Sequence, residues 1–337
     1  MLAQNSPASR HYIRMVNCIG WSLVIFLGIF GELSTIDVLI AEVATGKIGT
    51  AAYSLISSVF YMAPFIVAGL IFFLMNRREF TVPIAFTPRF TPDFPLLILA
   101  GLAVITAAAH INSWFCDLIG YSIPPEMITE SYDNPSTVIM YMTVALAPAF
   151  AEEFLFRGVI YGNLRPFGKT QAILISSALF ALMHQNVGQF FYTFVGGIAM
   201  AVMYEVTGSI WCSIFYHMLN NQLAVLTEVL YYGKYGEAIA PLLTLWDILL
   251  YALGFASLCI LVLRYRRRKK REASEGARPI YGDNTAVPEA FDRPVDRQTL
   301  LKGLRTPGMI VFAALAFFSA IVTFVVLRFF DLGELLG

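Results

Sequence analysis

The stretch Ala147-Pro148-Ala149-Phe150-Ala151-Glu152-Glu153-Phe154-Leu155-Phe156-Arg157 sets two adjacent carboxylates and a guanidinium inside a run that is otherwise almost wholly apolar. The whole run, Ser136 to Leu164, is long enough to cross a bilayer, because a transmembrane helix needs about 20 mainly apolar residues. Ionisable side chains at that depth are costly and are kept where they face a bundle interior or a wet cavity. The stretch therefore predicts a helix enclosed by other membrane helices. On that helix Glu153 and Arg157 are four residues apart and share a face, where the cation offsets the carboxylate. Glu152 is turned about 100 degrees from Glu153 around the axis and so faces elsewhere. Pro148 cannot donate to the carbonyl of Val144, which predicts a kink just ahead of the pair.

Working outward, eight further apolar runs are found, near Val16 to Leu39, Ala52 to Met75, Phe94 to Ile111, Gln171 to Asn186, Phe190 to Val206, Ser209 to Leu230, Leu243 to Leu263 and Met309 to Phe330. The fold class expected is all-α, a polytopic transmembrane helix bundle with about nine spans. With 58% hydrophobic and 14% charged residues, the chain is too apolar for an average soluble domain. Its 23 basic and 23 acidic residues cancel, which leaves no basic surface for nucleic acid. The four cysteines lack any metal-type spacing and read as small buried hydrophobes. Arg10 and Arg14 before the first run raise the question of a cleaved signal peptide, but no small-residue cleavage site follows, so a retained helix is expected.

Lys and Arg collect at Arg10 and Arg14, at Arg77 and Arg78, at Arg165 and Lys169, and from Arg264 to Arg271. With nine spans all four clusters fall on one side, which the positive-inside rule assigns to the cytoplasm, along with the amino terminus. The carboxyl terminus is then outside. The chain divides into 1–135, N-terminal membrane helices and an outer loop over Asn112 to Pro135; 136–231, a helical core with the polar motifs; 232–263, an eighth span; 264–306, a basic and polar cytoplasmic loop, mobile over Glu272 to Arg305; and 307–337, a C-terminal span. Glu32 and Asp37 are expected to mark the outer boundary of the first span, and His110 to close the third.

Two histidines, His184 and His217, lie within spans. His217 and Asn221 are four apart and present an imidazole and an amide on one helix face, while Phe180 and His184 are likewise four apart. At about 1.5 Å of rise per residue, Glu152 stands roughly 20 Å from Arg165 and His184 roughly 22 Å from Lys169. Counted from the turn at Thr207 and Gly208, His217 and Asn221 stand roughly 14 and 20 Å up. All four can share one layer of the bundle.

Glu-Glu-x-x-x-Arg at Glu152, Glu153 and Arg157, then Phe-x-x-x-His at Phe180 and His184, then His-x-x-x-Asn at His217 and Asn221, in that order on three separate spans, resembles the CAAX prenyl endopeptidase and bacteriocin-processing (CPBP, or ABI) family of intramembrane proteases. The resemblance covers about Ser136 to Leu230. It implies peptide-bond hydrolysis in the bilayer, with Glu152 as the base, a membrane-associated protein or peptide as substrate, and prenylated CAAX proteins as one class of it. A desolvated carboxylate holds a proton more readily than one in water, which suits a general base. His184 can hold the attacking water, His217 and Asn221 can meet the oxyanion, and Glu153, Arg157 and Phe180 support them.

A divalent metal such as zinc on His184 and His217 is an open alternative, although the compact His-Glu-x-x-His pattern is absent and Asn is an uncommon zinc ligand. Two readings from other classes stand beside hydrolysis. A proton-coupled transporter would also use intramembrane Glu and His, but usually shows repeated halves, whereas these motifs occur once. A non-enzymatic immunity or scaffold protein would use the same bundle to bind a membrane peptide. A reporter active only outside the cytoplasm is expected to be active when fused after Gly337 and silent when inserted within 276–293; the reverse pattern overturns the orientation.

Overall fold

The computed structural model describes residues 6–44, 50–121, 145–228, 230–231, 235–275 and 294–329, and among these no strand occurs. Ten helices are seen: α1 Pro7–Ala44, α2 Thr50–Met75, α3 Phe94–Ile119, α4 over 145–164, α5 Lys169–Met183, α6 Val187–Thr207, α7 Ile210–Glu228, α8 Ala240–Glu275, α9 Arg297–Leu304 and α10 Pro307–Phe329.

Local chemistry sets their ends. Ser6 accepts the Ser9 N–H at 3.1 Å ahead of α1. Asn186 caps α6 by accepting the Gly188 N–H at 2.8 Å, the usual use of a short polar side chain at a helix start. Gly120 and Gly208 close α3 and α6 at φ 64 and 63, in the left-handed region that glycine enters without strain.

Each of the nine predicted spans overlaps a helix over its described residues, though the helix in the span Gln171 to Asn186 stops at Met183 and leaves His184 in the turn that follows. Six of the ten, α1, α2, α3, α6, α8 and α10, are long and apolar enough to cross a bilayer. The other three spans, α4, α5 and α7, are the ones that carry Glu152, Glu153, Arg157, His184, His217 and Asn221 at or near their ends or middles. Polar residues lower the apolarity of α4 and α7, whereas α5 is apolar but short. Helix α5 has 15 residues, or about 22 Å of rise, less than the roughly 30 Å hydrocarbon core of a bilayer. The chain is therefore an integral membrane helix bundle.

Helix α4 runs through its centre. Ala149, Ala151, Leu155, Phe156, Val159, Ile160 and Tyr161 are all fully buried, with Phe156 edge-on to Phe180 of α5 at 5.2 Å. The basic clusters gather at one end. There Arg14 pairs with Glu79 at 2.7 Å, Tyr12 packs on Phe167 at 5.3 Å, Glu205 accepts from Arg165 at 2.5 Å, Tyr161 at 2.6 Å and Lys169 at 2.7 Å, and Asp93 binds both Arg264 and Arg268.

Several expectations are corrected. Helix α3 continues to Ile119, so 112–119 is helix rather than loop, and His110 lies inside it, 2.6 Å from the Tyr251 hydroxyl and 3.5 Å from Asp247. Asn112 holds the helix in place by donating to the Gly188 carbonyl. Residues 122–144, with most of the expected outer loop, lie outside the described residues. Helix α1 runs past Glu32 and Asp37 to Ala44, and Asp37 accepts from Ser57 at 2.7 Å. Cys259 is exposed, unlike the other three cysteines.

The expected mobile stretch Glu272 to Arg305 is structured at both ends. Helix α8 extends to Glu275, and 294–305 holds α9, whose N-cap Asp296 accepts the Thr299 N–H at 2.6 Å. That backbone hydrogen bond keeps the Asp296 carboxyl below its ordinary value. Val295 donates to the Phe167 carbonyl at 3.0 Å, Thr299 is fully buried, and a side chain at Gly303 would run into the Tyr12 ring. Burial of a few residues against α1 is what orders this segment.

Helices α1 and α10 touch backbone to backbone at Gly20 and Gly308, where an added Cβ on Gly308 would lie 2.8 Å from the Trp21 nitrogen. Gly20→Leu is expected to cost about 1–3 kcal/mol by overpacking, lowering the thermal unfolding midpoint in detergent. Gly28→Ala, where an added Cβ meets nothing within 4 Å, should leave it unchanged or higher.

Candidate active site in the membrane

Glu153 has no exposed surface, so its charge must be met by protein. Its Oε1 lies 3.0 Å from Arg157 Nη1 and 3.0 Å from His217 Nδ1 of α7. Arg157, 1% exposed, donates through Nη2 to the Gly197 carbonyl of α6 at 3.2 Å and lies 4.5 Å above the Phe180 ring of α5, a cation–π arrangement strengthened by desolvation. Four helices thus meet around one carboxylate. Gly197 allows the approach, because a Cβ there would sit 2.9 Å from the Ser177 Cβ.

The backbone of α4 departs from α-helical hydrogen bonding immediately after the pair, with a π-helical segment over Phe154–Tyr161. Such segments occur often at functional sites and change the angular spacing of the side chains they carry. The four-residue spacing of Glu153 and Arg157 still delivers the ion pair.

Glu152 is 2% exposed. Its Oε1 accepts the Tyr61 hydroxyl of α2, and its Oε2 has no hydrogen-bond donor among the described residues. That oxygen faces His217 Nε2 at 3.9 Å. The His217 ring therefore stands between the two carboxylates. With Nδ1 donating to Glu153, a role assigned from that partner, Nε2 is the ring nitrogen turned toward Glu152. A separation of 3.9 Å is too long for a direct hydrogen bond and is of the kind that one oxygen can bridge.

The remaining predicted residues stand one step away. His184 Nδ1 lies 2.8 Å from the Phe180 carbonyl, and its ring packs edge-on to Phe180 at 4.8 Å. Phe180 in turn lies 6.0 Å from the His217 ring. Asn221, partly buried, is one turn from His217. Among the described residues its hydrogen bond is with Asn220, at 3.4 Å, and it bonds to neither glutamate. No three His, Cys, Asp or Glu side chains among the described residues group as a metal ligand set.

Two contributors were missed from sequence: Tyr61 and the Gly197 carbonyl. Tyr61 had a signal. It is 16 residues before Arg77, hence at roughly 24 Å of rise, close to the level of Glu152.

Residues 134–223 match the family model described as Type II CAAX prenyl endopeptidase Rce1-like. This segment resembles an Rce1-like domain. It holds Glu152, Glu153, Arg157, Phe180, His184, His217 and Asn221. The chain is 30% identical over 94 residues to the Bacillus subtilis protein named "Putative membrane peptidase YdiL". That alignment covers 27% of this chain and 38% of the relative, so the chain spans well under half of the curated protein it matches. No solved structure matches.

Removing one partner of a buried ion pair costs about 3–5 kcal/mol, because the other charge is left uncompensated. Arg157→Met is therefore expected to lower the thermal midpoint sharply in detergent, and adding Glu153→Gln to it should recover part of the loss. A double variant no more stable than Arg157→Met would show that the pair is not the source of the cost.

Proposed function

We propose that the protein is an intramembrane endopeptidase in which Glu152 activates water against a peptide bond of a membrane-associated substrate. The observation that carries this reading is the His217 ring held between two buried carboxylates, with Nε2 3.9 Å from Glu152 Oε2. A water bridging that separation would be polarised from both sides. Glu152 takes its proton, the oxygen attacks the scissile carbonyl, and the proton passes to the leaving amine, the ordinary duty of a single acid–base carboxylate.

Tyr61 orients the Glu152 carboxylate through Oε1. Glu153, fixed by Arg157 and Gly197, keeps His217 in one rotamer. Asn221, one turn along α7, is the amide donor assigned to the oxyanion once substrate is seated. His184 lies beside the approach to this centre and contacts substrate. The Rce1-like description supports lipidated CAAX-type chains as one substrate class, and the basic end of the bundle is assigned to the cytoplasm.

Glu152→Gln and His217→Gln, reconstituted in vesicles, are expected to lose about 10²–10⁴-fold in the appearance of new peptide termini, the usual worth of an acid–base group, with unchanged insertion and folding. Mass spectrometry of the products checks this. Wild-type cleavage by Glu152→Gln would sink the assignment of the base.

A further inference from the structure

Beside the carboxylate pair lies a cleft of about 350 Å³, near the small end of the range for ligand pockets. Its walls are Leu27, Phe30, Gly31 and Ser34 of α1, Thr323 of α10, and the turn between α5 and α6 that contains His184 and Gln185. Five of those positions belong to helices outside the matched segment 134–223.

The cleft touches the candidate active site from two directions. Phe30 is edge-on to Tyr61 at 5.8 Å, and Tyr61 donates to Glu152. His184 is edge-on to Phe180 at 4.8 Å, which abuts His217. One aromatic ring on each side separates the cleft from the catalytic pair.

One feature of its walls lacks a reason in the fold itself. Gln185, at φ 51 the sole non-glycine residue in the left-handed region among those described, has one: it ends α5 in the usual left-handed way. Gly31 lies mid-helix, where glycine is unfavourable, yet an added Cβ would meet nothing within 4 Å. By contrast Gly69, Gly101, Gly158 and Gly197 each sit under 3 Å from a packed neighbour at that point. The space over Gly31 is not used by the protein.

The wall chemistry says what fits. Leu27 and Phe30 offer an apolar surface, while Ser34, His184 and Gln185 offer hydrogen-bonding groups. An acyl chain has no use for those groups, whereas an unwound peptide in hydrocarbon must find partners for its N–H and C=O groups. Resting on the proposed protease function, we infer that this cleft is the substrate subsite: it seats an unwound apolar peptide segment next to the scissile bond, and α1 sets which side chains are accepted. Because α5 begins at Lys169 and ends at the His184 turn, the cleft lies away from the basic end, so the segment it holds is the part of the substrate farther from that face.

The test uses the full chain in vesicles with two probes: a photoreactive single-span Leu/Ala peptide interrupted by one Gly-Pro pair, and a photoreactive phospholipid. In the Glu152→Gln background, which does not consume the peptide, labelling is expected on α1 near Gly31 and on the 184–186 turn. Gly31→Leu, which clashes with no protein atom at Cβ, should cut it about tenfold, the effect of filling a fitted space. Gly28→Leu, equally open but not lining the cleft, should not. Peptide labelling that ignores Gly31→Leu, or phospholipid labelling that displaces the peptide at these residues, overturns the subsite. Peptide labelling as expected with no new termini from wild type counts against hydrolysis alone and leaves the subsite standing.

Discussion

A single buried carboxylate organises this molecule. Glu153 has no access to solvent, and an unpaired charge there would be prohibitive. Arg157 answers it along the same helix, but Arg157 is itself buried and needs the Gly197 carbonyl and the face of Phe180. The imidazole of His217 completes the set. Satisfying one charge therefore requires α4, α5, α6 and α7 to meet within a few ångströms. Gly197, where an added Cβ would lie 2.9 Å from the Ser177 Cβ, is what lets α5 and α6 come that close.

The architecture separates two duties. Long apolar helices, α1, α2, α3, α8 and α10, face hydrocarbon with rows of exposed Leu, Ile, Val and Phe, as a bundle in lipid should. The inner helices that carry polar groups are shorter or less apolar and are shielded by the outer ones. Helix α5 is the extreme case. Its 15 residues bring the His184–Asn186 turn to membrane depth, where irregular backbone is tolerated only inside protein or beside a wet cavity. Asn186 and Tyr121 supply partners there, with the Tyr121 hydroxyl 2.9 Å from Asn186 Oδ1.

Much of this was legible in the linear chain. Apolar runs of membrane length declare themselves, and pairs four apart, such as Glu153 with Arg157, need only helix geometry to be matched. What stayed hidden depends on contacts between distant segments. Tyr61 looks like any aromatic in an apolar run until α2 is set against α4. The π-helical turn after Glu153 is a hydrogen-bond pattern imposed by packing, with no sequence signature of its own. Helix α9 reads as polar linker because its ordering comes from Tyr12 and Phe167, nearly 300 and 130 residues away. Asn221 shows the converse: its position on the His217 face was readable, yet the folded chain gives it no bond to either glutamate.

The guanidinium and ammonium groups at one end of the bundle are held by carboxylates. Arg14, Arg165, Lys169, Arg264 and Arg268 are tied into ion pairs with Glu79, Glu205 and Asp93, and Glu205, which also accepts from Tyr161, ties this end to α4. The level of Glu152 below these groups is then a property of the protein and not of the bilayer around it. Thinner or thicker membranes can tilt the outer helices without moving this gauge, and a chain threaded beside it would be measured by distance from the headgroups before any side chain is read.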